Sequence, residues 1–160
     1  MLPFALFNLL HRVHRSTAVS MVALAVAGVP IALIGVVFKL VALDVLGQCC
    51  GQGITSDQRE SLAMVFLDGY GDAVLVATLF WGLWLLPFGY LVIRSGILPR
   101  LLGALLILGG LGYLAQVFLE ILAPQTGVPG WILLPAAGGE IGICLWLLFM
   151  GVDKHQSGTI

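Results

Sequence analysis

Residues 73–93 read AVLVATLFWGLWLLPFGYLVI, a stretch without a single Asp, Glu, Lys or Arg. A helix needs about 20 predominantly apolar residues to cross the roughly 30 Å hydrocarbon core of a bilayer, and this stretch supplies them. In hydrocarbon every backbone N–H and C=O must be satisfied within the fold, which at this hydrophobicity means a helix. A membrane β-barrel strand would alternate apolar and polar residues over about ten positions, and this run does not alternate. Working outward, residues 16–38, 101–119 and 121–139 are equally free of charge, and 141–152 prolongs the last run beyond Glu140.

Composition points the same way. Of 160 residues, 7 are Lys or Arg and 8 are Asp or Glu, a charged fraction of 9%, against about 25% in soluble domains. Hydrophobic residues make up 60% of the chain and the mean hydropathy is +1.09. So few charges cannot cover the surface of a water-soluble fold of this size, and a net charge of −1 leaves no basic face for nucleic acid. The expected architecture is an all-α integral membrane protein. It has one membrane domain over residues 1–160, an antiparallel bundle of four transmembrane helices with a short N-terminal helical segment over residues 2–14. The spans are placed at Thr17–Leu46, Leu62–Ile93, Leu101–Leu122 and Trp131–Gly151. The first two exceed a bilayer's need and must tilt or project.

The links SGILPR (95–100) and APQTGVPG (123–130) are rich in the Gly and Pro that end helices. The longer link GQCCGQGITSDQRES (47–61) has polar turn composition. In the RSGILPR hinge, Gly96 permits a helix-ending turn at positive φ and Pro99 suits a position like N1 of the next helix. Arg12, Arg15, Arg94, Arg100 and Lys154 fall on one side of the spans as anchors, while Arg59 lies in a loop on the other side and Lys39 within a span. The positive-inside rule makes the five-residue side cytoplasmic, with both basic terminal segments inside and the chain in the inner (plasma) membrane. MLPFALFNLL at the start reaches about 15 Å as a helix. Its basic residues follow the apolar run, unlike those of a signal peptide. It reads as a re-entrant or interfacial helix, or as the end of a longer one.

Chemistry-bearing residues are sparse. His11, His14 and His155 all lie outside the spans, which argues against bis-histidine haem ligation, HExxH zinc chemistry or a Ser–His dyad at membrane depth. No cofactor, no metal and no catalytic activity are expected. HRVHR reads as a headgroup anchor. Cys49 and Cys50 are adjacent in the external loop, open to an intermolecular disulfide, a vicinal pair or two thiols; Cys144 suits a small apolar position.

Charge within a span is costly and usually faces the bundle interior, so these positions are the candidate site. Lys39 shares a helical stripe with Gly28, Ala32, Gly35 and Ala42, a packing face from which it could also snorkel outward. Glu140 aligns with Ala136 and Cys144 near the middle of the fourth span, beside the small pair Gly138 and Gly142, and is a candidate ion-pair partner for Lys39. Asp68 and Asp72 share one face near the outer end of the second span, and Asp44 and Glu120 close the first and third. Together these acids suggest either interfacial carboxylates or an acidic outer vestibule with Glu140 at its base. Trp81, Trp84, Trp131, Tyr70, Tyr90 and Tyr113 read as belt or packing residues, and Pro87 and Pro135 as kinks.

The run LFWGLWLLPFGYLVIRSGILPRLLGALLILGGLGYL, with ILLPAAGGEIGICLWLLFMG after it, resembles the prokaryotic multi-pass membrane family filed as domain of unknown function 4386. The resemblance rests on Gly82, Gly89, Tyr90, Arg94, Ser95, Gly96, Pro99, Gly103, Gly112, Tyr113, Pro135, Gly139, Glu140 and Trp146. It is clearest over residues 62–152. It implies a helical membrane architecture of about six spans, so that this chain would begin near the end of the second, without the family's N-terminal helices. Histidine is frequent in the family's counterpart of the second span, where Tyr70 and Trp84 stand here. No mechanism follows from the resemblance. The expected function is a non-enzymatic membrane bundle that binds a partner, a lipid or a small apolar ligand, with Lys39 and Glu140 as a buried pair. Its partners would be the bilayer and a second copy or another membrane protein, and not nucleic acid. The rival is a small proton- or cation-coupled transporter that uses the acids.

Overall fold

The computed structural model describes residues 2–47, 53, 55–96, 98–123, 125, 127 and 129–149. Cys49, Cys50, Lys154 and His155 lie outside them. The described residues form helices and no strand: α1 (Leu2–Leu10), α2 (Arg15–Leu46), α3 (Ser56–Ser95), α4 (Arg100–Leu122), a 3-10 turn at Gly130–Leu133, and α5 (Leu134–Phe149). Four stretches are long and apolar enough to cross a membrane: α2, α3, α4 and the continuous run Gly130–Phe149.

Local chemistry explains the boundaries. α3 begins well before the charge-free run because residues 55–58, Thr-Ser-Asp-Gln, close a capping box. The Thr55 N–H donates to Gln58 Oε1 at 3.1 Å, and the Gln58 N–H donates to Thr55 Oγ1 at 3.4 Å. It ends where Gly96 takes φ +65°, the left-handed turn expected there, and Pro99 serves as the N-cap of α4, one position earlier than N1. The N-terminal segment stops at Leu10 instead of reaching residue 14. His11 Nδ1 lies 3.2 Å from the Phe7 carbonyl and 3.0 Å from that of Asn8, placed to donate to the end of α1. His14 Nδ1 accepts from the Thr17 hydroxyl at 2.8 Å and from the Thr17 N–H at 3.4 Å, capping α2. The HRVHR link is thus a pair of histidine caps back to back.

Pro135 does not kink the fourth span. Without an N–H it could not reach the Trp131 carbonyl in an α-helical ladder; the Leu134 N–H takes that carbonyl instead. The segment therefore enters as a 3-10 turn and Pro135 sits in the first turn of α5, where a missing donor costs little.

The chain forms two compact units, one of Met1–Ala25 with Leu79–Ile160 and one of Val26–Thr78. In the first, Leu6 and Leu10 of α1 and Ala18 and Met21 of α2 join Leu85, Phe88, Leu91, Val92, Leu106 and Ile143 in one core. α1 is therefore a docked half-length helix. Glycines set the spacing of its neighbours. A Cβ at Gly89 would lie 2.7 Å from the Gly103 carbonyl, and one at Gly110 would lie 2.8 Å from the Gly82 carbonyl. A Cβ at Gly109 would collide with the Ala136 backbone, and one at Gly112 would lie 2.6 Å from the Ile132 carbonyl. Positions rise along one helix as they fall along the next, so α3–α4 and α4–α5 are antiparallel. On α5 the packing face is Ala136, Gly139 and Gly142; Gly138 points away, with nothing near its missing Cβ, so the expected Gly138–Gly142 pair does not share an interface. In the second unit Ala42, Val45 and Ala63 are buried together. Gly35 there meets Ala73 and Gly69 meets Phe38, so α2 and α3 also run antiparallel.

These contacts predict a contrast. Gly109→Ala forces a methyl into the α4–α5 backbone contact and should cost about 1–3 kcal/mol, as overpacking does. Gly138→Ala meets open space and should be neutral or slightly stabilising. Thermal unfolding of the two variants in detergent tests this, and equal melting temperatures would refute the packing scheme.

Candidate functional site

In the first unit two helices carry the acidic side chains within the spans. α4 carries Tyr113, Gln116 and Glu120 at intervals of three and four residues, one stripe on a helix otherwise apolar beyond Arg100. Gln116 Nε2 donates to Glu120 Oε1 at 2.8 Å. α5 carries Glu140, half-buried, one residue beyond the Gly139 contact with Leu106. The Glu140 carboxylate acts electrostatically on the Tyr113 hydroxyl. The stem of Tyr113 packs on α3, where a Cβ at Gly82 would lie 3.1 Å from the Tyr113 Cβ. Tyr113 thus has its ring stem on α3 and its hydroxyl in the field of α5.

This arrangement gives a carboxyl and a phenol in a glycine-packed three-helix setting of low dielectric, where polar interactions strengthen. The pair can hold a hydrogen-bonding ligand group or pass a proton. Tyr113 was legible only as a belt or packing aromatic. The signal for more was its place in the sole polar stripe of the third span.

The second unit holds the rest of the candidate set. Lys39 Nζ stands 5.5 Å from the centre of the Tyr70 ring, an attractive cation–π distance, and the side chain is exposed. Asp44, Asp68 and Asp72 are exposed on α2 and α3. Lys39 and Glu140, the expected pair, fall one in each unit. Glu120 is engaged by Gln116. Among the described residues no three His, Cys, Asp or Glu come together as a metal-holding group.

Of the anchors, Arg12, Arg15, Arg94 and Arg100 are all exposed, and Arg94 lies 5.9 Å from the Tyr90 ring centre. Trp84 stacks on Phe88 at 5.5 Å, with an interplanar angle of 11°, which turns its face to the core and away from a ligand cage. Trp131 and Trp81 face outward, and Cys144 is an exposed free thiol on α5.

Tyr113→Phe and Glu140→Gln should not be energetically independent. A double-mutant cycle in detergent is expected to give a coupling of about 0.5–1.7 kcal/mol, the range of polar contacts between membrane helices and of residues in contact. Strict additivity would show that the two groups do not interact.

The family model described as Domain of unknown function (DUF4386) matches residues 1–151, and the chain belongs to that family. The match begins at the first residue, so the region before residue 62 is part of the family pattern as well. No curated protein and no solved structure matches the chain.

Proposed function

We propose that this member of the family is a non-enzymatic multi-pass protein of the inner membrane. Its basic ends are cytoplasmic, and its α3–α4–α5 core binds a partner, a lipid or a small apolar ligand through Glu140 and Tyr113. One observation carries the reading: a half-buried carboxyl stands inside a span, next to a helix contact set at glycine distance and within electrostatic reach of Tyr113. A carboxyl in a span is costly and a purely apolar pair would pack as well, so its presence fits a polar ligand group or a specifying contact. The bilayer is the constant partner. A second copy or another membrane protein fits the outward α5 face, where Gly138, Ile141 and Cys144 are exposed.

A second reading has an observation of its own. The stripe Tyr113–Gln116–Glu120 runs from the end of α4 toward the level of Glu140, and a file of hydroxyl, amide and carboxyl groups can relay protons. In that reading the protein is a small proton- or cation-coupled transporter, with Glu140 as the group that loads and releases the ion.

Native mass spectrometry of detergent-released protein, wild type beside Glu140→Gln, separates the two. Binding predicts a defined extra mass or a fixed oligomer on the wild type that the variant loses, with a lower melting temperature and unchanged membrane insertion. A bare monomer in both would remove the ligand reading. Transport predicts pH-dependent flux in liposomes that Glu140→Gln abolishes; silent liposomes would remove it.

A further inference from the structure

The link between α1 and α2 holds two helix ends with two imidazoles, and the chemistry of their partners assigns the proton on each. At the end of α1, His11 Nδ1 lies 3.2 Å from the Phe7 carbonyl oxygen and 3.0 Å from that of Asn8. A carbonyl oxygen can only accept, so this Nδ1 carries a proton. At the start of α2 the Thr17 N–H reaches His14 Nδ1 at 3.4 Å. A backbone N–H can only donate, so this Nδ1 carries none. The Thr17 and Ser16 hydroxyls donate to the same atom at 2.8 and 3.1 Å. The two neutral rings are thus held in opposite tautomers.

Their places in the helices make the difference consequential. The Ala18 N–H donates to the His14 carbonyl at 3.1 Å, the first helical bond of α2, which makes His14 the N-cap and Thr17 position N3. The common N-cap side chains, Ser, Thr, Asp and Asn, keep their acceptor near neutral pH; an imidazole keeps its acceptor only while neutral. His11 already uses an N–H toward α1, stacks on Phe7 at 5.5 Å and 23°, and as a cation suits the negative end of that helix. A proton on His14 Nδ1 instead turns the acceptor into a donor facing the Thr17 N–H. It also sets a positive charge at the positive end of α2.

The other charged groups on the elements around the link are Arg12, Arg15 at the start of α2, Arg94 near the end of α3 and Arg100 at the start of α4. The described acids of this unit are Glu120, in the last turn of α4, and Glu140, midway along α5. Among the described residues no carboxylate of the unit stands at this end to receive a His14 cation. We infer that the link is a one-sided pH switch: protonation of His14 opens the first turn of α2, while His11 keeps the end of α1 closed. Ala18 is buried in the core, so the opening is confined to Arg15, Ser16 and Thr17. The joint between docked α1 and α2 therefore loosens as pH falls through the range in which imidazole gains its charge, about 8 to 5. Nothing in this depends on Glu140.

His155→Gln protein labelled with ¹⁵N-histidine retains His11 and His14 as its ring signals. In detergent micelles at about pH 8, the ring nitrogen shifts should show His14 protonated at Nε2 and His11 at Nδ1. Amide hydrogen exchange at Thr17, corrected for its intrinsic pH dependence, should rise about fivefold between pH 8 and pH 5, the usual worth of an N-cap. His14→Asn keeps an acceptor that does not titrate and should exchange slowly at both pH values; His14→Ala should exchange fast at both. His11→Asn should leave the response in place. The inference is overturned by a His14 ring protonated at Nδ1 at pH 8, or by Thr17 exchange that ignores pH in the His155→Gln protein. A response that persists in His14→Asn would overturn it as well, by assigning the effect to another group.

Discussion

Contact between backbones at glycine positions holds the α3–α4–α5 part of the molecule together. Lipid tails are as apolar as leucine, so helices in a bilayer gain little from hiding hydrophobic surface from one another. They associate through close contact and the dispersion it permits. Here α4 meets α3 through Gly103 and Gly110 and meets α5 through Gly109 and Gly112. Four glycines on two adjoining faces leave α4 no freedom to rotate about its axis. Tyr113, four residues beyond Gly109 and three beyond Gly110, must then project between α3 and α5. Glu140 is fixed by the same logic, since Ala136 and Gly139 hold α5 against α4 and the next position cannot turn far from the interface. The polar pair is thus a consequence of the glycines, and its geometry is only as stable as they are.

The two units use one device twice. Gly82 leaves room for the stem of Tyr113, whose hydroxyl lies in the field of Glu140; Gly35 seats the ring of Tyr70, which carries Lys39. In each case bare backbone accepts the apolar body of an amphipathic ring, which leaves another part of that ring, hydroxyl or face, toward a charge of suitable sign. A hydroxyl can donate toward a carboxylate, whereas a ring face attracts an ammonium. The geometry differs with the charge.

Much of this was legible in the sequence. Charge-free runs located the four long helices, and Gly96 announced its turn, because hydrophobicity and positive φ are properties of single residues and short windows. What escaped depends on pairing. The start of α3 was missed although Thr55 and Gln58 match a capping box, because polar composition in residues 47–61 outweighed the motif. The role of Pro135 depends on which carbonyl its absent N–H would have met, and so on where the helix begins. Choosing Gly138 over Gly139 as the packing residue was a question of helix rotation, which a stripe of small residues around the whole helix leaves open. His11 and His14 were legible only as part of an interfacial anchor; that they cap two helix ends follows only once the chain is seen to break between them.

The acidic residues show why spacing alone misleads in a membrane. Read along the chain, Asp44, Asp68, Asp72, Glu120 and Glu140 look like one population gathered toward one face. In the fold they divide. Three are exposed in the Val26–Thr78 unit, and Glu120 is occupied by the amide of Gln116. Glu140 is half-buried well inside its span, within electrostatic reach of Tyr113. A carboxylate in water is solvated and nearly indifferent to its neighbours; the same group in low dielectric makes each neighbour a large energetic term. Function that depends on charge therefore concentrates at the one acid whose surroundings can be altered by a bound molecule or a proton. That acid is the one the glycine contacts of α4 and α5 hold in place.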